Sequence, residues 1–204
     1  FPDSESRTKI IDTLDELRGW KLNLPGEHNL YNASLAYTAL QTLNISTETI
    51  KESFEKMEPV EGRLQLLKEH NGIKIYNDNN ATTPDATVAG LDAVSEGSNV
   101  ILIMGGADKK IGLDGLIEKI AQTVHKVLLL PGTGTDRLMK EYDLKDRNIQ
   151  HHNAYDIKDS LKLSIDVARK GDVILFSPAF ASFGQFVNEY EKNDEFVSAV
   201  NDLK

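Results

Sequence analysis

The chain has 204 residues, enough for one large domain or one domain with part of another, and long enough to bury a core. Its 40% hydrophobic and 27% charged residues match globular usage and exclude disordered, collagen-like and low-complexity classes. The balance of 23 Lys+Arg against 32 Asp+Glu leaves a net charge of −9, which opposes non-specific binding to nucleic acid or anionic membranes.

With no cysteine there are no disulfides, thiolate zinc sites or cysteine nucleophiles, which suits a reducing cytoplasm. No apolar run approaches the roughly 18 residues of a membrane span, and the polar residues 1–6 lack a signal peptide's apolar stretch. There is no initiator methionine, and the chain is expected to be a fragment of a longer protein.

Trp20, Leu22 and Leu24 alternate with polar residues before Pro25-Gly26 and predict a short strand and turn. From Asn29, apolar residues at Leu30, Ala33, Ala36, Tyr37, Leu40 and Leu43 fall at helical spacing, with Asn44 as the stop. Ser46 is an N-cap candidate for a second helix carrying Ile50, Phe54 and Met57, closed by Pro59. The period then changes, which predicts a new domain. Residues 64–69 and 73–76 read as strands around Asn71-Gly72, a hairpin signal.

Strand and helix alternate thereafter: strands at 100–104, 127–130, 149–151 and 173–176, helices at 113–122, 136–142, 157–168 and 183–200. Short apolar strands separated by amphipathic helices predict an α/β fold, a mainly parallel sheet with helices on both faces.

In such a sheet the loops after the strands carry function. The first holds Asp78, able to accept hydrogen bonds from a ribose diol, with Thr82 and Thr83, able to cap the following helix or to bind a carboxylate at its positive end. An Asn-rich capped turn is the simpler alternative. In the second, Gly105 and Gly106 allow close backbone approach and Lys109 supplies a point charge, or the segment is a plain turn with solvated lysines. No Walker A motif occurs.

The third loop, Pro131-Gly132-Thr133-Gly134, holds only half of a dinucleotide fingerprint and reads as a strand-to-helix turn. The fourth places Ser177 and Ser182 around small residues, and Ser182 is either a helix cap or a carboxylate ligand. Gly-x-Ser-x-Gly is absent, so Ser182 is not read as a nucleophile. The adjacent His151 and His152 on a strand face opposite ways and do not suit a shared metal. His28 and Asn29 open the first helix, with Asn32 one turn on.

Five segments stand in one order: Pro25-Gly26-Glu27-His28-Asn29-Leu30-Tyr31-Asn32-Ala33; Gly62-Arg63; Tyr76-Asn77-Asp78-Asn79-Asn80-Ala81-Thr82; Gly105-Gly106-Ala107-Asp108-Lys109; and Ser177-Pro178-Ala179-Phe180-Ala181-Ser182 through Glu195-Phe196. Together they resemble the Mur ligases, and among these the members that add D-glutamate, over nearly everything after residue 22.

The resemblance implies an ATP- and Mg2+-dependent cytoplasmic enzyme of peptidoglycan precursor synthesis, acting as a monomer. Residues 1–58 would be the helical end of the central ATPase domain, and residues 59–204 the Rossmann-like C-terminal domain that brings the amino acid. It places His28, Asn29, Asn32, Arg63 and Asp78 at the nucleotide, and Thr82, Lys109, Ser182 and Glu189 at the carboxylates of D-glutamate. The other substrate would be UDP-N-acetylmuramoyl-L-alanine, phosphorylated on its carboxylate before the amine attacks. Domain closure is expected, since the amino acid and ATP are held by different domains.

The family's P-loop, magnesium ligands and carbamylated lysine would lie upstream, so this segment alone is expected to be inactive. Asn80 stands where the family usually has lysine. That departure keeps open a related ligase of Mur or folylpolyglutamate type with another amino acid, and the missing P-loop keeps open a non-catalytic carboxylate- or nucleotide-binding module.

Overall fold

In the computed structural model, which describes residues 13–23, 25–144, 149–181 and 189–203, the chain divides into two units, Phe1–Pro59 and Val60–Lys204. The first contains helices α1 (Glu27–Thr42) and α2 (Thr47–Glu55). Ala33 and Tyr37 of α1 and Ile50 and Phe54 of α2 are buried with Leu17, and Trp20 stands edge-on to both Tyr37 and Phe54 with centroids 5.2 and 6.0 Å away. Ser46 caps α2 as predicted, accepting from the Thr49 amide.

The predicted strand at Trp20–Leu24 is not formed among the described residues, because this unit offers no strand edge to pair with and Trp20 is drawn into the helical core instead. The apolar stripe is also narrower than predicted: Leu43 is 69% exposed, and Met57 lies beyond the end of α2.

The second unit contains β1 (Gln65–His70), β2 (Ile73–Asn77), α3 (Pro84–Val94), β3 (Val100–Met104), α4 (Asp114–Thr123), β4 (Val124–Leu129), α5 (Thr133–Glu141), β5 (His151–Asn153), α6 (Ile157–Val167), β6 (Val173–Phe176) and α7 (Glu189–Asn201). One six-stranded sheet runs β1-β2-β6-β3-β4-β5, with β1 antiparallel to β2 and every other pairing parallel. This is the predicted mainly parallel α/β architecture. Asn71 and Gly72, at φ 53° and 77°, form the two-residue turn between β1 and β2 that the Asn-Gly pair predicts.

All of β3 and β6 is buried, and the alternation of side chains feeds two cores. Val100, Leu102, Met104, Val173 and Leu175 pack with Leu91, Leu116, Ile117, Ile120 and Leu138, from α3, α4 and α5. Ile101, Ile103, Ile174 and Phe176 pack on the opposite face with Ile157, Leu161, Phe196 and Val200, from α6 and α7.

Several boundaries move from the sequence reading, and the strand predicted at 127–130 forms at Val124–Leu129. The strand predicted at 149–151 forms at His151–Asn153. The helix predicted from Asp136 begins at Thr133, because Gly132 at φ 152° turns the chain directly into it. The last helix is described from Glu189. No helix among the described residues is long and apolar enough to cross a membrane.

Candidate functional site

The helix after β6 lies on the opposite face from those after β2 and β3, so the loops leaving β6 and its two neighbours in the sheet part to opposite faces at a topological switch point. In open parallel sheets this switch point opens the crevice where ligands bind, beyond the carboxyl ends of the strands. The loops there are tied into one frame. Ala107 and Ala181 exchange backbone hydrogen bonds of 2.8 and 3.0 Å, the Gly105 amide donates to Pro178 O at 3.0 Å, and the Ala179 amide donates to Ala81 O at 2.9 Å. The Gly134 amide donates to Gly106 O at 2.8 Å and adds the loop after β4.

Gly106 sits at φ 142°, and a Cβ there would collide with the carbonyl oxygen of Ala181. Gly106→Ala is therefore expected to cost about 3 kcal/mol, from backbone strain plus displacement of the partner loop. Urea denaturation of the variant beside wild type checks this.

Lys109 projects from the loop after β3 and Thr82 from the loop after β2, with Lys109 Nζ donating to Thr82 Oγ1 at 2.9 Å. The two threonines take separate roles. Thr83 caps α3 by accepting from the Ala86 amide, which leaves the Thr82 hydroxyl to face the lysine.

The Lys109 loop is braced by its neighbours: Asp108 Oδ1 accepts from the Lys110 amide at 2.8 Å and from Arg137 at 2.9 Å, and Arg137 also donates to Ile111 O at 3.0 Å. The Lys110 amide, then the Arg137 guanidinium, hold the Asp108 carboxyl below its ordinary range. A lysine on such a braced loop supplies a positive charge for a carboxylate.

Asp78 is only 6% exposed. Its Oδ1 accepts from the Leu64 amide at 3.1 Å and its Oδ2 from the Ser177 hydroxyl at 2.8 Å. Burial pushes this carboxyl up to about 6, against the opposing pull of Ser177, the Leu64 amide and the Arg63 charge. Each oxygen keeps a second lone pair, so Asp78 retains acceptor capacity behind the surface.

Arg63 itself is exposed, with Nη1 3.4 Å from Asn80 O. Asn80 turns its side-chain amide to Glu61 O at 3.0 Å, and its backbone amide to Gly62 O at 2.9 Å. The side chain at the position of the family's lysine thus fastens the segment before β1.

In the first unit, Asn29 donates to Pro25 O at 2.8 Å and helps start α1, whereas His28 and Asn32 are exposed one turn apart on that helix. Ser182 lies outside the described residues, and Glu189 is described only as the first residue of α7. Among the described residues no cluster of three or more His, Cys, Asp or Glu is placed to hold a metal ion.

Several contributors escaped the sequence reading. Arg137 braces the Lys109 loop, Thr87 lies 2.9 Å from Ser177 Oγ, and Asn193 links Asn77 at 2.8 Å to Glu61 at 2.7 Å. These partners stand 29 to 132 residues apart in sequence, where no local spacing relates them.

Residues 62–180 match the Mur ligase, glutamate ligase domain. The chain is 32% identical to the UDP-N-acetylmuramoylalanine–D-glutamate ligase of Roseiflexus sp. (strain RS-1), over 95% of this chain and 40% of that protein. It is 35% identical to the enzyme of the same name from Acetivibrio thermocellus, over 100% of this chain and 43% of that protein. The fold is shared with the UDP-N-acetylmuramate-alanine ligase MurC of Thermotoga maritima, at a TM-score of 0.68 and 20% identity over 91% of this chain and 40% of that one. The chain thus spans about 40% of the length of the curated relatives it matches.

Proposed function

The chain belongs to the Mur ligase family, and from that premise we propose that it is the C-terminal part of an ATP-dependent ligase joining D-glutamate to UDP-N-acetylmuramoyl-L-alanine. The activity named for the Roseiflexus and Acetivibrio relatives supports this reading. The observation that carries it is the Lys109–Thr82 contact across the switch point, a cation and a hydroxyl on two different loops. A dicarboxylate amino acid needs two anion sites. Lys109 and Thr82 are read as one, and Ser182, with a backbone amide near Glu189, is proposed as the other.

In this reading residues 1–58 are the end of the central ATPase domain and residues 59–204 the amino-acid-bringing domain of a monomeric cytoplasmic enzyme. His28, Asn29 and Asn32 lie near the nucleotide, Asn29 and Asn32 at its adenine, and Arg63 and Asp78 contact phosphate and ribose. ATP phosphorylates the precursor's carboxylate. The amine of D-glutamate then attacks that carbonyl carbon, phosphate leaves, and an amide forms. What this domain contributes is placement: holding the carboxylates fixed presents the amine as a near-unimolecular nucleophile. Mg2+ is assigned to the upstream part.

Phosphate release by the full-length protein, given ATP, Mg2+, UDP-N-acetylmuramoyl-L-alanine and a panel of amino acids, tests the proposal. Release dependent on D-glutamate is the expected result. Release with a different amino acid would assign Asn80 to a changed specificity, and no release with any would favour a binding module.

A further inference from the structure

Behind Arg63 and Asp78 stand two buried hydroxyls, Thr87 and Ser177, to which no substrate contact is assigned. Thr87 on α3 and Ser177 after β6 are both fully buried, with their hydroxyl oxygens 2.9 Å apart. Ser177 donates to Asp78 Oδ2 at 2.8 Å, and Asp78 Oδ1 accepts from the Leu64 amide at 3.1 Å. Leu64, at φ 47°, occupies the left-handed region although it carries a large side chain that is only 2% exposed. Such a conformation costs about 1–3 kcal/mol and persists only where its surroundings dictate it.

The surroundings are specific. Gly90 on α3 makes room for the carboxylate, since a Cβ there would stand 2.9 Å from Asp78 Oδ2. The rest of the turn is fastened too: the Arg63 amide donates to Val60 O at 3.0 Å, and Asn80 holds Gly62 O and Glu61 O. Fastened in this way, the turn buries Gly62 and Leu64 and leaves the Arg63 side chain exposed between them.

We propose that Thr87 and Ser177 are positioning residues for nucleotide use: they fix the Asp78 carboxylate so that it locks Leu64 in its left-handed turn and thereby aims Arg63 at the phosphates. The inference rests on the reading of Arg63 as a nucleotide contact. A serine hydroxyl has a single hydrogen, so its rotation decides whether the carboxylate is bonded. Ser177 Oγ stands within donor reach of both Asp78 Oδ2 and Thr87 Oγ1, and Thr87 settles the choice by turning its own hydrogen to Ser177 Oγ, which leaves the serine's hydrogen for the carboxylate. The hydroxyl at position 87 matters for this task, and the methyl does not.

The test compares Thr87→Val, which keeps the shape and removes the hydroxyl, with Thr87→Ser, which keeps the hydroxyl, and with Ser177→Ala and Arg63→Ala, all in the full-length protein. Thr87→Val and Ser177→Ala are expected to raise the KM for ATP about 5- to 10-fold while the KM for the amino acid stays at the wild-type value. Thr87→Ser should behave as wild type. Combined with Arg63→Ala, neither variant should add a further rise, because both act through that side chain.

Independently of turnover, amide hydrogen exchange at Leu64 should quicken about tenfold in Thr87→Val and Ser177→Ala and not in Thr87→Ser. Equal behaviour of Thr87→Val and Thr87→Ser would reduce the role to packing and overturn the proposal, as would unchanged Leu64 exchange. An unchanged KM for ATP in Arg63→Ala, with Leu64 exchange still quickened, would instead reject the nucleotide assignment and with it the aim of the relay. A normal effect of Arg63→Ala beside silent Thr87→Val would reject the relay alone.

Discussion

Lys109→Ala, in the full-length protein, is expected to raise the KM for the amino acid by about 10- to 100-fold and to leave the KM for ATP near wild type. The lysine supplies the only positive side chain seen among the described residues at the Thr82 hydroxyl, 2.9 Å away. Losing one charge-assisted hydrogen bond to a carboxylate costs about 1.5–3 kcal/mol, which sets that range. Thr82→Val removes a neutral partner and should cost less, about 3- to 10-fold. Steady-state kinetics with each substrate varied in turn reads both. A rise confined to ATP would show that the two proposed sites are exchanged.

Asp78→Asn should separate stability from function. The carboxyl titrates near 3.8 in an unfolded chain and at about 6 in the folded one, mainly because burial penalises its charged form. Between those values the folded state binds more protons than the unfolded state, so the contribution of Asp78 to stability is fully present below pH 3.8 and is lost as pH rises through about 6. At about 1.4 kcal/mol per pH unit the loss amounts to roughly 3 kcal/mol.

Asparagine at 78 can still accept from Leu64 and bond Ser177 without carrying charge. Relative to wild type, Asp78→Asn should gain about 2.4 kcal/mol between pH 4 and pH 7 in urea denaturation followed by circular dichroism. The same variant should weaken ATP use more than amino-acid use. A destabilising buried charge retained beside an exposed arginine fits a group kept for function rather than for folding. A stability difference that stays flat over this pH range, or shrinks as pH rises, would contradict the account.

The parallel sheet was legible because buried strands such as Val100–Met104 are unbroken apolar runs, and the hairpin because Asn71-Gly72 suits a turn with two positive φ values. Trp20 misled, since alternation over five residues resembles a strand whether or not an edge exists to pair with. At the site, Lys109 and Thr82 could be chosen from their loops, but their contact spans 27 residues and depends on β6 lying between β2 and β3. Sequence spacing carries no record of strand order.

Asp78 was legible as a candidate, whereas its burial and its hold on Leu64 were not. These arise from Ser177, 99 residues away, and from the space left by Gly90. Asn80 reads in sequence as a missing charge. In the fold it is a clasp on Glu61 and Gly62, a role that only the antiparallel return of β1 along β2 creates.

The central claim is that the loops beyond β2, β3 and β6 take the amino acid. It is tested most directly by a crystal structure of the full-length protein bound to its reaction product. A carboxylate of the newly added D-glutamyl residue is expected within hydrogen-bond distance of Lys109 Nζ and Thr82 Oγ1. A product whose carboxylates lie away from both residues would contradict it.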